Sequence, residues 1–262
     1  MRMRISNDVR PQAMTLLVAA IISVLLWFIP YLEILGYPFK LFITFIHEGG
    51  HAIAAVLTGN SVRSMSVAMD TTGLTQTSDR TLLAGLFISS AGYLSSMAFG
   101  AFLLFLIRKS VKSKVILFGC GLLIAALTLV FGLFTSAFSA DAWSGIPFTL
   151  LSGVLLSAGL ILIAKFASKR VATFFASFLA VQCVLNALLD LKDVFFLSNP
   201  FVPAVPTDAV NMAHATGVPA IFWSALWIAL ALGILWWAMR LYVAGRDKGY
   251  QPDLPFEETP PI

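Results

Sequence analysis

Apolar positions in this chain form long unbroken runs instead of alternating with polar ones. No Asp, Glu, Lys or Arg occurs in 11–32, 81–107, 115–140, 142–164, 171–189 or 209–239. A helix crossing a bilayer needs about 20 mostly apolar residues, and these six runs meet or approach that length. The pattern predicts helices over 12–35, 38–57, 81–108, 115–138, 145–166, 171–197 and 218–244. Two polar stretches interrupt it. Residues 58–80 (TGNSVRSMSVAMDTTGLTQTSDR) carry loose alternation through Val62, Met65 and Val67, and Asp70-Thr71-Thr72-Gly73 is a turn signal. A short hairpin of 62–69 with 74–78 is therefore expected. Residues 198–217, with Pro200, Pro203 and Pro206, read as a loop entering the last helix. The Pro-rich tail from Gln251 is expected to be disordered. The predicted fold is an all-α polytopic membrane protein of six to seven transmembrane helices, one of them a candidate re-entrant segment, with a short β-hairpin. It is read as one domain over 1–250 with the tail 251–262 outside it.

Composition agrees. The chain is 59% hydrophobic and 11% charged, whereas a soluble domain is about 25% charged. The mean hydropathy is +0.90. Disordered, fibrous, disulfide-stapled and cytosolic classes are excluded. The net charge of +4 does not point to nucleic acid, because the basic residues stand at helix ends. Arg108, Lys109, Lys112 and Lys114 flank one run, Lys165, Lys169 and Arg170 another, and Arg240, Arg246 and Lys248 follow the last. That is the flanking pattern that orients helices in a bilayer. Cys120 and Cys183 fall in apolar segments, form no CxxC pair, and read as small core residues. The start (Arg2, Arg4, Arg10, then an apolar stretch) has the shape of a signal sequence. No small-x-small site follows, so an uncleaved first helix is expected.

Candidate chemistry concentrates in His47-Glu48-Gly49-Gly50-His51, which holds two of the three histidines of the chain. Residues four apart share a helix face, so both imidazoles can address one Zn²⁺, with Glu48 beside it as general base. Neutral ligands leave the cation its charge, which lowers the pKa of a bound water to about 7. A hydrogen-bonded polar cluster joining helices is the bland alternative. Ionisable groups inside a bilayer cost about 2.5 kcal/mol or more, however, and mark functional sites. Gly49 and Gly50 each cost a helix interior about 1 kcal/mol against Ala, a cost that close approach by another backbone, including substrate, would offset.

A catalytic zinc site takes three protein ligands and leaves one position open. Glu33 lies at a helix end, Asp141 in a short loop, and Asp70 and Asp79 in the polar hairpin. That leaves Asp190 and Asp193. With Asn186 they are spaced four and three apart and share one face of an otherwise apolar helix. Asn186 is a candidate for holding the ligating carboxylate or contacting substrate. His214 and Asp208 are weaker candidates for lining the site, and Asp208 in Thr207-Asp208-Ala209-Val210 reads first as a helix N-cap.

These residues together resemble a site-2-protease-type intramembrane zinc metalloprotease of a bacterial, largely uncharacterised branch. The resemblance spans roughly 38–227. It rests on FIHEGGHAIAAVLTG (45–59), GLT (73–75), SSAGYLSS (89–96), NALLDLKDV (186–194) and TDAVNMAHATGVPAIFW (207–223). It implies one zinc per chain held by His47 and His51, Glu48 as base, and the acid after a Leu, here Asp190, as third ligand with Asp193 in reserve. The wider pattern has Gly where Leu191 stands, and a Pro between Asn186 and Asp190 that is missing here. The implied activity is hydrolysis of a peptide bond in or near a transmembrane segment of a membrane-protein substrate, in a bacterial inner membrane. A catalytically silent relative holding a metal or a membrane partner, and a metal transporter, are the rivals. A transporter would spread polar sites along a path, whereas this chain concentrates them. Charge flanking puts the basic loops on one side. It places the basic N-terminus with them only if 38–57 enters from the opposite side and folds back through 58–80.

Overall fold

The computed structural model describes residues 10–29, 33–78, 81–199, 201 and 205–243. The tail from Gln251, Asp79 and the basic residues before Arg10 lie outside the described residues. Helices α1 (Arg10–Phe28) and α2 (Glu33–Leu57) lead into a hairpin of β1 (Val62–Val67) and β2 (Gly73–Thr77). Then follow α3 (Leu82–Arg108), α4 (Ser113–Leu127), α5 (Ile146–Phe166), α6 (Lys169–Leu197), α7 (Asp208–Thr216) and α8 (Ala220–Val243). A π-helical stretch, Thr128–Thr135, prolongs α4. Five helices among the described residues are long and apolar enough to cross a membrane: α3, α4 with its extension, α5, α6 and α8.

Two boundaries differ from the sequence reading. The expected first helix over 12–35 stops at Phe28, and α2 begins at Glu33, before Pro38. Proline suits a first helical position, but here it sits inside the first turns, where the bond it removes is near a helix end. The expected loop 198–217 contains α7. Its start is made by Thr207, whose hydroxyl accepts from the Val210 N–H, and its end by Gly217 in the left-handed region at φ 73°. Both are standard helix-end chemistry. Asp208 is thus the first helical residue and not the cap.

Polarity along the bundle is inverted relative to a soluble protein. On α5, Thr149, Ser152 and Ser157 are buried, while Leu151, Val154, Leu155 and Leu162 are exposed. Lipid accepts such a face and water does not. Helix α3 is central, packed on α2, α6, α7 and α8. Small residues permit the close approach, as expected where helices pack in lipid. A Cβ at Gly100 would meet Cys183 and Val184 of α6.

Helices α2 and α3 run antiparallel. Phe42 packs on Phe99, Ser95 Oγ donates to the Ile46 carbonyl, and His51 lies against Ile88. Phe39 packs on Phe175 and Phe178, early in α6. The start of α2 therefore lies at the end of the bundle where α3 finishes and α6 begins, beside the basic loops. This corrects the expectation that 38–57 enters from the opposite side. The cause is burial: α2 hides Phe42, Phe45 and Ile46, and antiparallel pairing with α3 covers them.

The hairpin forms as expected, trimmed to 62–67 and 73–77, with Met65 opposite Thr75 and Val67 opposite Gly73. Asp70 shapes its turn, accepting from the Thr72 N–H and hydroxyl. The far edge of β1 is occupied. The Met65 N–H donates to Ser136 Oγ at 3.2 Å and the Val67 N–H to Thr149 Oγ1 at 2.9 Å. Ser139 Oγ donates to the Arg63 carbonyl. Since Met65 and Val67 turn their N–H groups away from β2, their partners Thr75 and Gly73 turn theirs away from β1. The turn of the hairpin is tied to α2, Tyr37 Oη donating to the Met69 carbonyl and Thr44 Oγ1 to that of Thr71, both at 2.7 Å.

Candidate metal centre

The two imidazoles project from one face of α2, as the four-residue spacing requires. Their Nε2 atoms stand 3.1 Å apart. His51 is fixed by its other nitrogen. Nδ1 lies 2.6 Å from the carbonyl of Ile88 on α3, and since a carbonyl only accepts, the proton sits on Nδ1. The Nε2 lone pair is thereby directed at the site, an outer contact typical of metal-binding histidines. His47 is braced by the Tyr93 ring, edge to face at 4.6 Å between centroids. Tyr93 rests on Trp227, whose indole N–H donates to Ser90.

The carboxylate that joins them is Asp208. Its Oδ2 lies 3.6 Å from His47 Nε2 and 3.4 Å from His51 Nε2. All three ligand atoms fall within 4.8 Å of one another, the one such group among the described residues. Because Thr207 caps α7, the Asp208 side chain is free to reach the imidazoles from the first turn.

Glu48 is buried, 5% exposed. Its Oε2 accepts a 2.7 Å hydrogen bond from Thr75 of β2. Gly73 lies over the same carboxylate: a Cβ there would stand 2.7 Å from Glu48 Cδ. Gly92 of α3 faces the two imidazoles, and a Cβ on it would collide with Nε2 of both His47 and His51. Neither glycine was singled out by the sequence reading, although both stand in motifs that carried the resemblance. A cavity of about 820 Å³ joins these groups, walled by α2, the β2 side of the hairpin, α3, α6 and α7.

The other candidates distribute as follows. Asp190 lines this cavity from α6 but stands outside the group of converging ligand atoms. Asn186, one turn earlier, also lines it, with its amide donating to the Gln182 carbonyl and side chain. Asp193 lies at the rim, paired with Lys192 at 2.8 Å. Gly49 and Gly50 do not face the cavity interior as room for a second chain. Gly49 is packed on Leu127 of α4, and Gly50 on Ser95 and the Ala91 carbonyl of α3. They serve the close approach of neighbouring helices. His214 is exposed in the last turn of α7, away from the lining of the cavity.

The His51 Nε2 lone pair, the His47 Nε2 atom and the Asp208 carboxylate oxygen converge on one point, where a cation could be shared among them. The donor set, two imidazoles and one carboxylate, is the type that holds zinc in hydrolytic sites. The residues present therefore fit a zinc ion.

The sequence model of the Peptidase M50B-like family matches residues 16–238. No curated protein and no solved structure matches the chain. The chain belongs to the Peptidase M50B-like family, the membrane peptidases of the site-2 protease type.

Proposed function

We propose that the chain is a zinc metalloendopeptidase that cleaves a peptide bond in or near a transmembrane segment of another membrane protein, in a bacterial cell membrane. The observation that carries this is the convergence of His47, His51 and Asp208 within 4.8 Å, with the Glu48 carboxylate alongside in one cavity. His47, His51 and Asp208 would hold the ion. Asp208 takes the place that the wider family's pattern gives to Asp190. When bound, zinc supplies a Lewis acid and a water acidified to a pKa of about 7.

The protein's own groups supply the rest. Glu48 takes the proton of the attacking water and returns it to the leaving amine. Such a base contributes about 10²–10⁴-fold. The Ile88 carbonyl keeps His51 in the tautomer that ligates. Asp190 and Asn186 line the cavity wall on α6, where a substrate chain would pass. The outward N–H and C=O groups of Gly73 and Thr75 offer an edge. An unwound substrate segment exposes the complementary groups, and strand addition would satisfy them. Backbone bonding of this kind selects extended chain over helix, which suits the hydrolysis of a transmembrane segment after local unfolding.

The test is zinc content and cleavage on the purified full chain in detergent, with a panel of single-span transmembrane peptides read by mass spectrometry. The wild type holds one zinc and cleaves, His47→Ala holds none, and Glu48→Gln holds zinc without cleaving. Zinc retained with no cleavage of any peptide by the wild type would favour a catalytically silent metal-binding relative. Zinc crossing sealed vesicles in the absence of cleavage would favour a transporter.

A further inference from the structure

The proposed base is not held by its own helix. Glu48 sits in a holster made by β2, with Gly73 lying across Cγ and Cδ and the Thr75 hydroxyl bonded to Oε2 at 2.7 Å. The Thr75 Oγ1 also approaches the Glu48 backbone carbonyl at 3.2 Å. A hydroxyl has one proton to donate, and the shorter, charge-assisted bond to the carboxylate is the stronger of the two. Strand geometry puts Gly73 and Thr75 on the same face of β2, two residues apart. One residue has no side chain where the carboxylate lies, and the next on that face carries a hydroxyl that bonds it.

We infer that Thr75 is a positioning residue for Glu48, and that the strand edge offered to the substrate is also the element that sets the base. This rests on the peptidase reading and adds to it. The same two residues turn their backbone groups to the outer edge of β2 and their α-carbon faces to Glu48. A substrate strand that pairs with Gly73 and Thr75 therefore stiffens the segment that holds the carboxylate, and correct docking is coupled to the orientation of the base. Three of the bonds that tie the hairpin to α2, at Tyr37, Thr44 and Glu48, follow one face of that helix. The Glu48 bond is the one of the three made to a side chain that can do chemistry.

The experiment compares wild type, Thr75→Val and Thr75→Ser in the full chain. Thr75→Val keeps the shape and removes the hydroxyl, so it should lower kcat by about 10²-fold, the scale of a misplaced catalytic group, with zinc content unchanged. KM should stay within about twofold, because ground-state contacts remain. Thr75→Ser restores the donor and should recover most of kcat. Gly73→Ala, which crowds the same carboxylate, should also lower kcat. A Thr75→Val enzyme with zinc and wild-type kcat overturns the inference. A second readout needs no turnover: thermal unfolding of Thr75→Val, Glu48→Ala and the double variant in detergent. The inference expects Thr75→Val to lower Tm clearly in the Glu48 background and much less in the Glu48→Ala background. Additive shifts overturn it even if no peptide is cleaved, whereas failure of cleavage alone counts against the peptidase reading.

Discussion

Glu48 and Asp208 are both carboxylates with different proposed roles, and substitution separates them. Glu48 stands beside the proposed ion without being needed to hold it. Glu48→Gln should therefore leave zinc affinity within about tenfold, while proteolysis falls by 10²–10⁴-fold or more. Asp208→Ala should empty the site, since it removes one of the three proposed ligands, whereas Asp190→Ala should retain zinc. Equilibrium dialysis or mass spectrometry of the purified variants checks both. Zinc lost from Asp190→Ala and kept in Asp208→Ala would restore Asp190 as the ligand. Gly92→Ala tests the packing directly. Its methyl would strike both imidazoles, so it should reduce zinc content in a chain that still folds. The His47, Glu48 and His51 group was legible in sequence because a four-residue spacing is local to one helix. The proposed third ligand, Asp208, was not. Asp190 and Asp208 are 18 positions apart by their numbers, and only the packing of α7 on α3 and α8 decides which of them comes near the imidazoles. One sign was present: Thr207 with Gly217 brackets a short helix, and recognising Thr207 as the cap releases Asp208 for another role.

Among the elements, the hairpin was legible and its attachments were not. The Asp70–Gly73 turn and the alternation around Met65 fixed its place within two residues. Which helices grip it depends on hydroxyls scattered over the chain, at Thr44, Ser136, Ser139 and Thr149. The Val67 N–H is buried and accepted by Thr149 Oγ1 at 2.9 Å. Thr149→Val would leave that donor unpaired, at a cost of about 1–3 kcal/mol. The expected outcome is a lower midpoint of unfolding in detergent and faster amide exchange at Val67 and Met65, with zinc binding intact. Unchanged exchange at Val67 would show that the far edge of β1 is held by other contacts. Because β1 is gripped on one side and β2 faces the cavity on the other, loosening β1 should raise KM for a peptide that adds to β2. Helix α7 was missed for a related reason. Nine residues with three prolines upstream carry too little periodicity to stand out, and its placement on α3 and α8 comes from packing.

At the scale of the whole molecule, the six charge-free runs foretold the bundle, and the mistaken entry side of α2 came from extending charge rules to a segment whose direction is set by packing on α3. For the later helices charge and geometry agree. Three candidate spans, α4, α5 and α6, separate Lys112 from Phe201, so the two are expected on opposite sides of the membrane. Lys109, Lys112, Lys169, Arg170 and Arg240 all fall at one end, which the flanking rule assigns to the cytoplasm. The hairpin start, the 136–145 connection and α7 fall at the other end. His51 meets Ile88, six residues into α3 from Leu82, which puts the site about 9 Å below that end at 1.5 Å per residue. Water for hydrolysis would thus enter from the non-cytoplasmic side, through the cavity between β2, α6 and α7. Both native cysteines are buried, so single-cysteine labelling reads topology without background. In intact cells a membrane-impermeant maleimide should label Phe201→Cys, whose parent residue is 93% exposed, and leave Lys112→Cys unmodified until the cells are opened. The reverse pattern would turn the protein over and place the cavity on the cytoplasmic face. Labelling of both positions in intact cells would break the count of three spans between them.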